Sequence, residues 1–399
     1  MDYIFDKVKL LGNRYKDLLS KKHNHTCLSP KCNQKAILSH SISKSTLKKI
    51  SEDQHVVAPV FKLGINESNP LEHINPTKKN IEFKMVGINK ASTYKLFCRD
   101  CDNLIFSNID SNGITTLRDI FLQLYRTSCM IKFQHDVVSK SEKEILHYEY
   151  NYNHDFESNS ELSIDDLILL SEDMLIDFPK LDTKLDDIEP SCNKSLVNHA
   201  YSKDVGLEVS FIYKKLPAYF NFSFQKGIHL YLEGKNHYCI FILIPHYDYS
   251  SLMIFCHQDA VSLFFHYMEE EFKTLNLIEL IMMIDSDFYI PPSVVSRWSK
   301  EKKELIETDF YFFNERVLFQ EYDVSIFDEL REIVCKKFKD KVESNRYTDE
   351  EKNDCLKKEY LKLNNLPVRP SFNDRVKRMN HYFGMQRLKK HNKQFKSDS

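Results

Sequence analysis

Apolar residues along this chain change period more than once, and the changes divide it. Leu117, Ile120, Phe121, Leu124 and Met130 recur at helical spacing behind Asn112-Gly113, with Thr115 or Thr116 as N-cap candidates, so a long helix is expected there. The polar stretch HYEYNYNHDFESNS then reads as a loop or boundary, and LSIDDLILLSEDMLIDF as a second helix. From about Leu207 the pattern becomes β-branched and aromatic: LEVSFIYKKL, AYFNFSFQ, GIHLYLE, HYCIFILIPH and SLMIFCHQ, punctuated by Pro, Gly and Asn, predict an antiparallel sheet. Residues 259–284 return to helical spacing, and Pro291-Pro292 opens a further helix at the position proline favours.

The N-terminal quarter is different. Ile4, Phe5, Val8, Leu11, Tyr15 and Leu18 or Leu19 mark an amphipathic helix over residues 1–22. From His23 to about Phe106 the text is irregular, broken by Pro30, Asn33, Pro59, Gly64, Pro70, Pro76 and Gly87, and only HVVAPVFKL and IEFKMVGI read as strands. The class this implies is α+β. We expect a small module with its N-terminal helix over 1–112, a helical acidic segment over 113–200, an antiparallel-sheet α+β domain over 201–365 and a basic tail over 366–399.

Composition narrows the function classes. No run of about 18 apolar residues is present and the first residues lack a signal-peptide core, so the expectation is a cytoplasmic protein with no membrane partner. A net charge of −2 conceals basic ends and an acidic middle. Residues 1–50 hold eleven Lys or Arg, the end from Arg369 to Lys396 nine, and residues 161–189 ten acids. Basic ends suit a polyanion, so Arg375, Lys377, Arg378, Arg387, Lys389 and Lys390 are candidate nucleic-acid contacts. The α+β half is the candidate surface for a protein partner. Trp298 and the FYFF run at 310–313 read as core rather than as a stacking platform for bases.

Cysteine spacing carries the chemistry. Cys129, Cys192, Cys239, Cys256, Cys335 and Cys355 stand singly and read as small buried hydrophobes. Cys27 and Cys32 are separated by four residues, Cys98 and Cys101 by two, and each pair can form a knuckle presenting two sulfurs to one tetrahedral ion. A segment so poor in long apolar elements needs such a staple, and structural zinc contributes folding energy directly. His23 and His25, just ahead of Cys27, are competing ligands.

The order Cys27-x4-Cys32, then Ser39-His40-Ser41-Ile42, then Cys98-Arg-Asp-Cys101-Asp102-Asn103 resembles the zinc-stabilised HNH endonuclease, or ββα-metal, module over about residues 23–108. The resemblance implies that Cys27, Cys32, Cys98 and Cys101 hold structural zinc and that His40 is the general base. It also implies that Asp102, standing where the family has a histidine, helps bind a catalytic Mg or Mn ion, with Asp100 and Asn103 at hand. Ser39 replaces the family's acid, and Asn80 and Asn89 are both available as its middle asparagine. A neutral imidazole near pH 7 can take a proton from water, and a carboxylate is a hard ligand suited to Mg2+. The implied activity is phosphodiester hydrolysis of nucleic acid, of the kind found in phage-defence proteins. The alternative is a non-catalytic zinc module that binds nucleic acid or protein.

Overall fold

A computed structural model describes residues 18, 23–61, 79, 81–146, 160–177, 181–187, 195–202, 207–232, 234–317, 319–344 and 350–381. The helix expected over 1–22, most of the acidic loop, Asn80, Cys192, Arg387, Lys389 and Lys390 lie outside these residues, apart from the buried Leu18.

The α+β class is observed. Two three-residue strands, β1 (Leu38–His40) and β4 (Thr93–Lys95), pair antiparallel, and helix α2 (Arg99–Asn112) follows β4 directly. Between β1 and β4 the chain inserts α1 (Lys44–Ile50) and a hairpin of β2 (His55–Phe61) and β3 (Ile81–Gly87). Next come the long α3 (Leu117–Leu146), the short β5 (Ser160–Leu162) and α4 (Ile164–Asp177). Thr116 and Asp119 close the expected start of α3 reciprocally. The Asp119 carboxylate accepts the Thr116 N–H at 2.8 Å, while the Thr116 hydroxyl accepts the Asp119 N–H at 3.3 Å.

The main sheet is built from β6 (Ser195–Ser202), β7 (Leu207–Pro217), β8 (Ser223–Leu232), β9 (Lys235–Pro245), β10 (Tyr249–Cys256) and β11 (Asp287–Tyr289). Their spatial order is β11-β8-β9-β10-β7-β6, all antiparallel, with β5 adding a short parallel pairing to β9. Successive side chains alternate between two cores. Tyr238, Ile240, Ile242 and Ile244 face the layer of α3 and the N-terminal module, whereas Cys239, Phe241 and Leu243 face α5 (Gln258–Phe265) and α6 (Glu271–Met282). Burial on both faces explains why HYCIFILIPH reads as one unbroken apolar run.

Strand β8 joins the end of the run AYFNFSFQ, from Ser223, to the run that follows, with Gly227 inside it, while residues 218–222 lie outside the strand. A Cβ at Gly227 would lie 2.0 Å from the Tyr238 hydroxyl, so the glycine there makes room for that ring. The helix expected over 259–284 is interrupted: α5 ends at Phe265 and α6 begins at Glu271, with Glu270 extended between them. Past β11 come α7 (Pro292–Ser296), with Pro292 in its first turn, α8 (Lys300–Tyr311), α9 (Asp328–Ser344), α10 (Glu350–Asn364) and a further helix, α11, over 372–381.

Buried charge ties this last third down. Arg331 in α9 bonds Glu279 of α6 and Glu359 of α10, all three essentially inaccessible, and Asn276 and Lys362 complete the group. Trp298 and Phe310 are buried as expected, with the Trp298 indole N–H bonding the Ile326 carbonyl at 3.0 Å. Among the described residues no helix is long and apolar enough to cross a membrane.

Candidate functional site

The four paired cysteines converge. Cys27, Cys32, Cys98 and Cys101 offer sulfurs all within 4.8 Å of one another. Backbone contacts that need no metal do much of this work. The Cys27 N–H bonds the Gln34 carbonyl at 2.9 Å, folding the first knuckle back, and Lys31 takes the left-handed conformation (φ 59°) that the turn before Cys32 requires. Leu28 N–H to Leu96 carbonyl and Ile37 N–H to Phe97 carbonyl, both 2.8 Å, then lash the first pair to the segment leading into the second. Leu96 and Phe97 are fully buried, so this seam is part of the core.

The dimensions fit zinc. Four sulfurs about 2.3 Å from one ion form a tetrahedron with edges of roughly 3.8 Å, and Cys32 Sγ lies 3.8 Å from Cys98 Sγ. Cys98 is the N-cap of α2 and accepts the Cys101 N–H at 3.4 Å, a bond that favours its thiolate and lowers its pKa. Burial pushes the Cys101 thiol up to about 12, and the neighbouring sulfurs of Cys98, Cys32 and Cys27 reinforce the rise. Four thiols so crowded ionise together only around a cation, which would deprotonate them outright. A metal such as zinc can therefore be held here. The His25 Nε2–H is turned instead to the Leu18 carbonyl at 2.7 Å, and the metal-competent group at this place consists of the four cysteines.

His40 and Asp102 come next to the clip from two directions. His40 ends β1 opposite Thr93, and Asp102 sits in the first turn of α2, one residue beyond Cys101. The His40 Nε2–H donates to the Ile88 carbonyl at 3.0 Å, which leaves Nδ1 with its lone pair in the neutral ring. Burial, with the positive Arg126 as a further cause, lowers the His40 pKa and keeps that ring neutral. For Asp102 burial raises the pKa, Arg126 opposes the rise, Asp110 adds to it, and Ser39 opposes it.

Arg126, projecting from α3 and 1% exposed, is the hub of this cluster. Its guanidinium grips Asp110 with two bonds of 2.7 and 3.0 Å, lies over the Phe106 ring at 4.1 Å, and reaches within 3.9 Å of Asp102. Two carboxylates thus share one cation, leaving one formal negative charge beside a neutral imidazole. Spacing along the chain gave no hint of Arg126 or Asp110, because they are brought in from α3 and the far end of α2.

The residue after His40 is fixed from every side. Ser41 Oγ meets Ser92 Oγ at 2.6 Å and accepts from Gln225 Nε2 at 2.6 Å, while its carbonyl accepts from Gln123 at 3.1 Å. Gln225 passes the network to Asp287 at 2.8 Å, and Tyr289 bonds both Asp287 and the Ser92 N–H. Satisfied buried networks of this kind rigidify. Asp100, Asn103 and Asn89 are exposed, and the structure gives none of them a bond into the cluster.

The basic tail needs correction at one position. Arg375 is 1% exposed, bonding Asp309 at 2.7 Å and Glu315 at 2.9 Å, so its charge is neutralised inside the protein rather than presented to phosphate. Lys377 and Arg378, also in α11, are exposed. Of the single cysteines, Cys129, Cys239, Cys256 and Cys335 are buried and Cys355 partly so.

Comparison with protein-family models, with curated protein sequences and with solved structures returns no match to this chain.

Proposed function

We propose that the segment from Cys27 to Asn112 is a zinc-clipped ββα unit acting as an HNH-like, metal-dependent phosphodiesterase on nucleic acid in the cytoplasm, with the remainder regulating it or binding a protein partner. The observation that carries the reading is one of order and place. A base-competent histidine ends the first strand of a two-stranded ribbon, a carboxylate occupies the first turn of the helix that follows the ribbon, and both lie in the field of the same Arg126–Asp110 pair. His40 Nδ1 would take the proton from water. Asp102 would hold Mg2+ or Mn2+, which supplies charge neutralisation at the phosphate. Zinc at the cysteines is structural in this reading, and the exposed Lys377 and Arg378 are available to the phosphate backbone.

The test is cleavage of plasmid DNA and of single-stranded RNA with Mg2+ or Mn2+, comparing the wild type with His40→Ala and Asp102→Ala. Removing a general base should lower the rate by roughly 10²–10⁴-fold, with circular dichroism and zinc content unchanged. Absence of wild-type cleavage on either substrate, or an unaffected His40→Ala, sinks the reading. It would then leave the non-catalytic zinc module, which the closeness of Arg126 to Asp102 favours, since that cation already balances part of the carboxylate charge.

A further inference from the structure

A second group of metal-ligating side chains lies on the sheet face away from the cysteine clip. His237 is the third residue of β9 and lies two residues before Cys239, so period-two alternation directs it to the face that packs on α5. His257 follows the last residue of β10 and is the N-cap of α5, and Asp259 is in that helix's first turn. Antiparallel pairing of β9 with β10 brings these residues to one end of the sheet, and one ligand atom from each of the three lies within 4.8 Å of the others.

Two of the distances suit a shared ion, although His257 Nδ1 also accepts the Asp259 N–H at 3.4 Å as the cap of α5. Two imidazoles bound to one ion at about 2.1 Å, with an angle near 100° between the bonds, place their ring centres roughly 4.8 Å apart. The His237 and His257 centroids are 4.8 Å apart with the ring planes inclined by 24°. Adjacent ligands at about 2.1 Å are separated by roughly 3.0–3.4 Å, and His257 Nδ1 lies 3.1 Å from Asp259 Oδ2. Exposure rises across the three, from 1% at His237 to half for the Asp259 side chain, which borders an open recess with Gln258, Ser262, His266 and Glu269.

We infer that His237, His257 and Asp259 form a second, three-ligand site for a divalent late first-row transition ion, with its remaining positions open to water on the recess side. Two imidazoles select zinc, cobalt, nickel or iron(II) over the hard ions Mg2+ and Ca2+, which prefer all-oxygen shells. The site is chemically unlike the cysteine clip. Its ligands are nitrogen and oxygen, and it is open where the clip is closed.

That difference makes it measurable. Full-length protein, stripped of metal and reloaded with Co2+ alone, should bind two equivalents by elemental analysis. One carries the intense near-ultraviolet thiolate-to-cobalt band of a sulfur site, and the other only the weak visible bands of a nitrogen–oxygen site. In Asp259→Asn, nearly isosteric and at an exposed position, and in His257→Ala, the second ion should weaken by at least tenfold, the lower end of the roughly 10–100-fold loss that even an outer partner's removal causes. The thiolate band should persist in both and serves as the control for folding. A wild type that binds one equivalent with the thiolate signature overturns the inference, and so do two equivalents of undiminished affinity in both variants. A single equivalent showing nitrogen–oxygen bands alone would uphold this site and refute the cysteine clip.

Discussion

Cys98 plays two parts that substitution can separate, because it is both a metal ligand and the N-cap of α2. Serine at this position keeps an oxygen able to accept the Cys101 N–H that the sulfur accepts at 3.4 Å, but supplies no thiolate; alanine loses both. Loss of the cap costs about 1 kcal/mol, within a range of 0.5–2, whether metal is present or not. An ion that binds only the folded state at a thousand times its dissociation constant stabilises by about 4 kcal/mol. Wild-type protein with free zinc at that level should therefore exceed its own stability in chelator by about 4 kcal/mol. Cys98→Ser should match the wild type in chelator and fall about 4 kcal/mol short of it in zinc. Cys98→Ala should lie about 1 kcal/mol below the serine variant in both. Urea unfolding followed by fluorescence of the single tryptophan, the buried Trp298, and by circular dichroism gives these numbers. Wild-type stability indifferent to chelator, or a serine variant as stable as wild type in zinc, would refute the claim that these sulfurs share an ion.

Three further outcomes follow from other parts of the molecule. His246 has its pKa lowered from 6.5 to about 4, by burial first and then by Lys49 and Lys215, so between those values the unfolded chain binds the proton that the folded protein refuses. Stability rises with pH through that window, and about 3 kcal/mol is lost as pH falls from 6.5 to 4; in His246→Gln the loss between pH 7 and pH 4 should be smaller by about that amount in urea titrations. Gly113 caps α2 at φ 77° and ψ −159°, a conformation nearly confined to glycine, and an added Cβ would lie 2.5 Å from His246 Nδ1. Gly113→Ala should cost about 1–3 kcal/mol from the backbone alone, and a Gly113→Ala/His246→Ala double variant should lose less than the sum of the singles. Glu279→Gln breaks a pair whose two side chains are at most 1% exposed, so thermal and urea unfolding should show a loss of about 3–5 kcal/mol, and a change under 1 kcal/mol would show that the Glu359 carboxylate suffices for Arg331.

What could be read from the sequence is what short-range pattern encodes. The cysteine frame was legible because each knuckle is a matter of a few residues, and α3, α4, β7, β9 and β10 because a buried face imposes its period on the chain. β6 was not, since SLVNHAYS is neither uniformly apolar nor strictly alternating, and pairing with β7 defines it. The three-residue strands β1 and β4 are too short to show a period and are joined across more than fifty residues. The burial of Arg375 is hidden in the sequence for a related reason. Within a run of basic residues it looks like its neighbours, but α11 turns that one position toward Asp309 and Glu315, whose places in the fold are set about sixty residues earlier. Convergence of His237 with His257 and Asp259 depends on strand register, which alternation does not specify across a turn.

The insertion between His40 and Cys98 explains why the clip and the sheet belong to one body. Its hairpin crosses to the other side of the molecule, where Val57 and Ile290 exchange backbone bonds of 2.8 and 3.0 Å and the Glu52 carboxylate accepts the Ser293 N–H. Phe83 enters a ring cluster with Phe288 at 5.3 Å, Phe310 at 5.6 Å and Trp298 at 6.1 Å, contacts of a type worth about 0.5–1.5 kcal/mol each beyond their burial. The Phe83 N–H, moreover, bonds Glu307 of α8. One core cluster runs from Leu18 through Cys98 and α3 to Tyr289, whose hydroxyl holds Ser92 and, through it, Ser41 beside His40. Tyr289 of β11 is thus joined by hydrogen bonds through Ser92 to Ser41, the residue after the candidate base, while α8 bonds the inserted hairpin at Phe83. If the cluster around His40 is catalytic, the α+β half has a physical route for controlling it without touching the substrate.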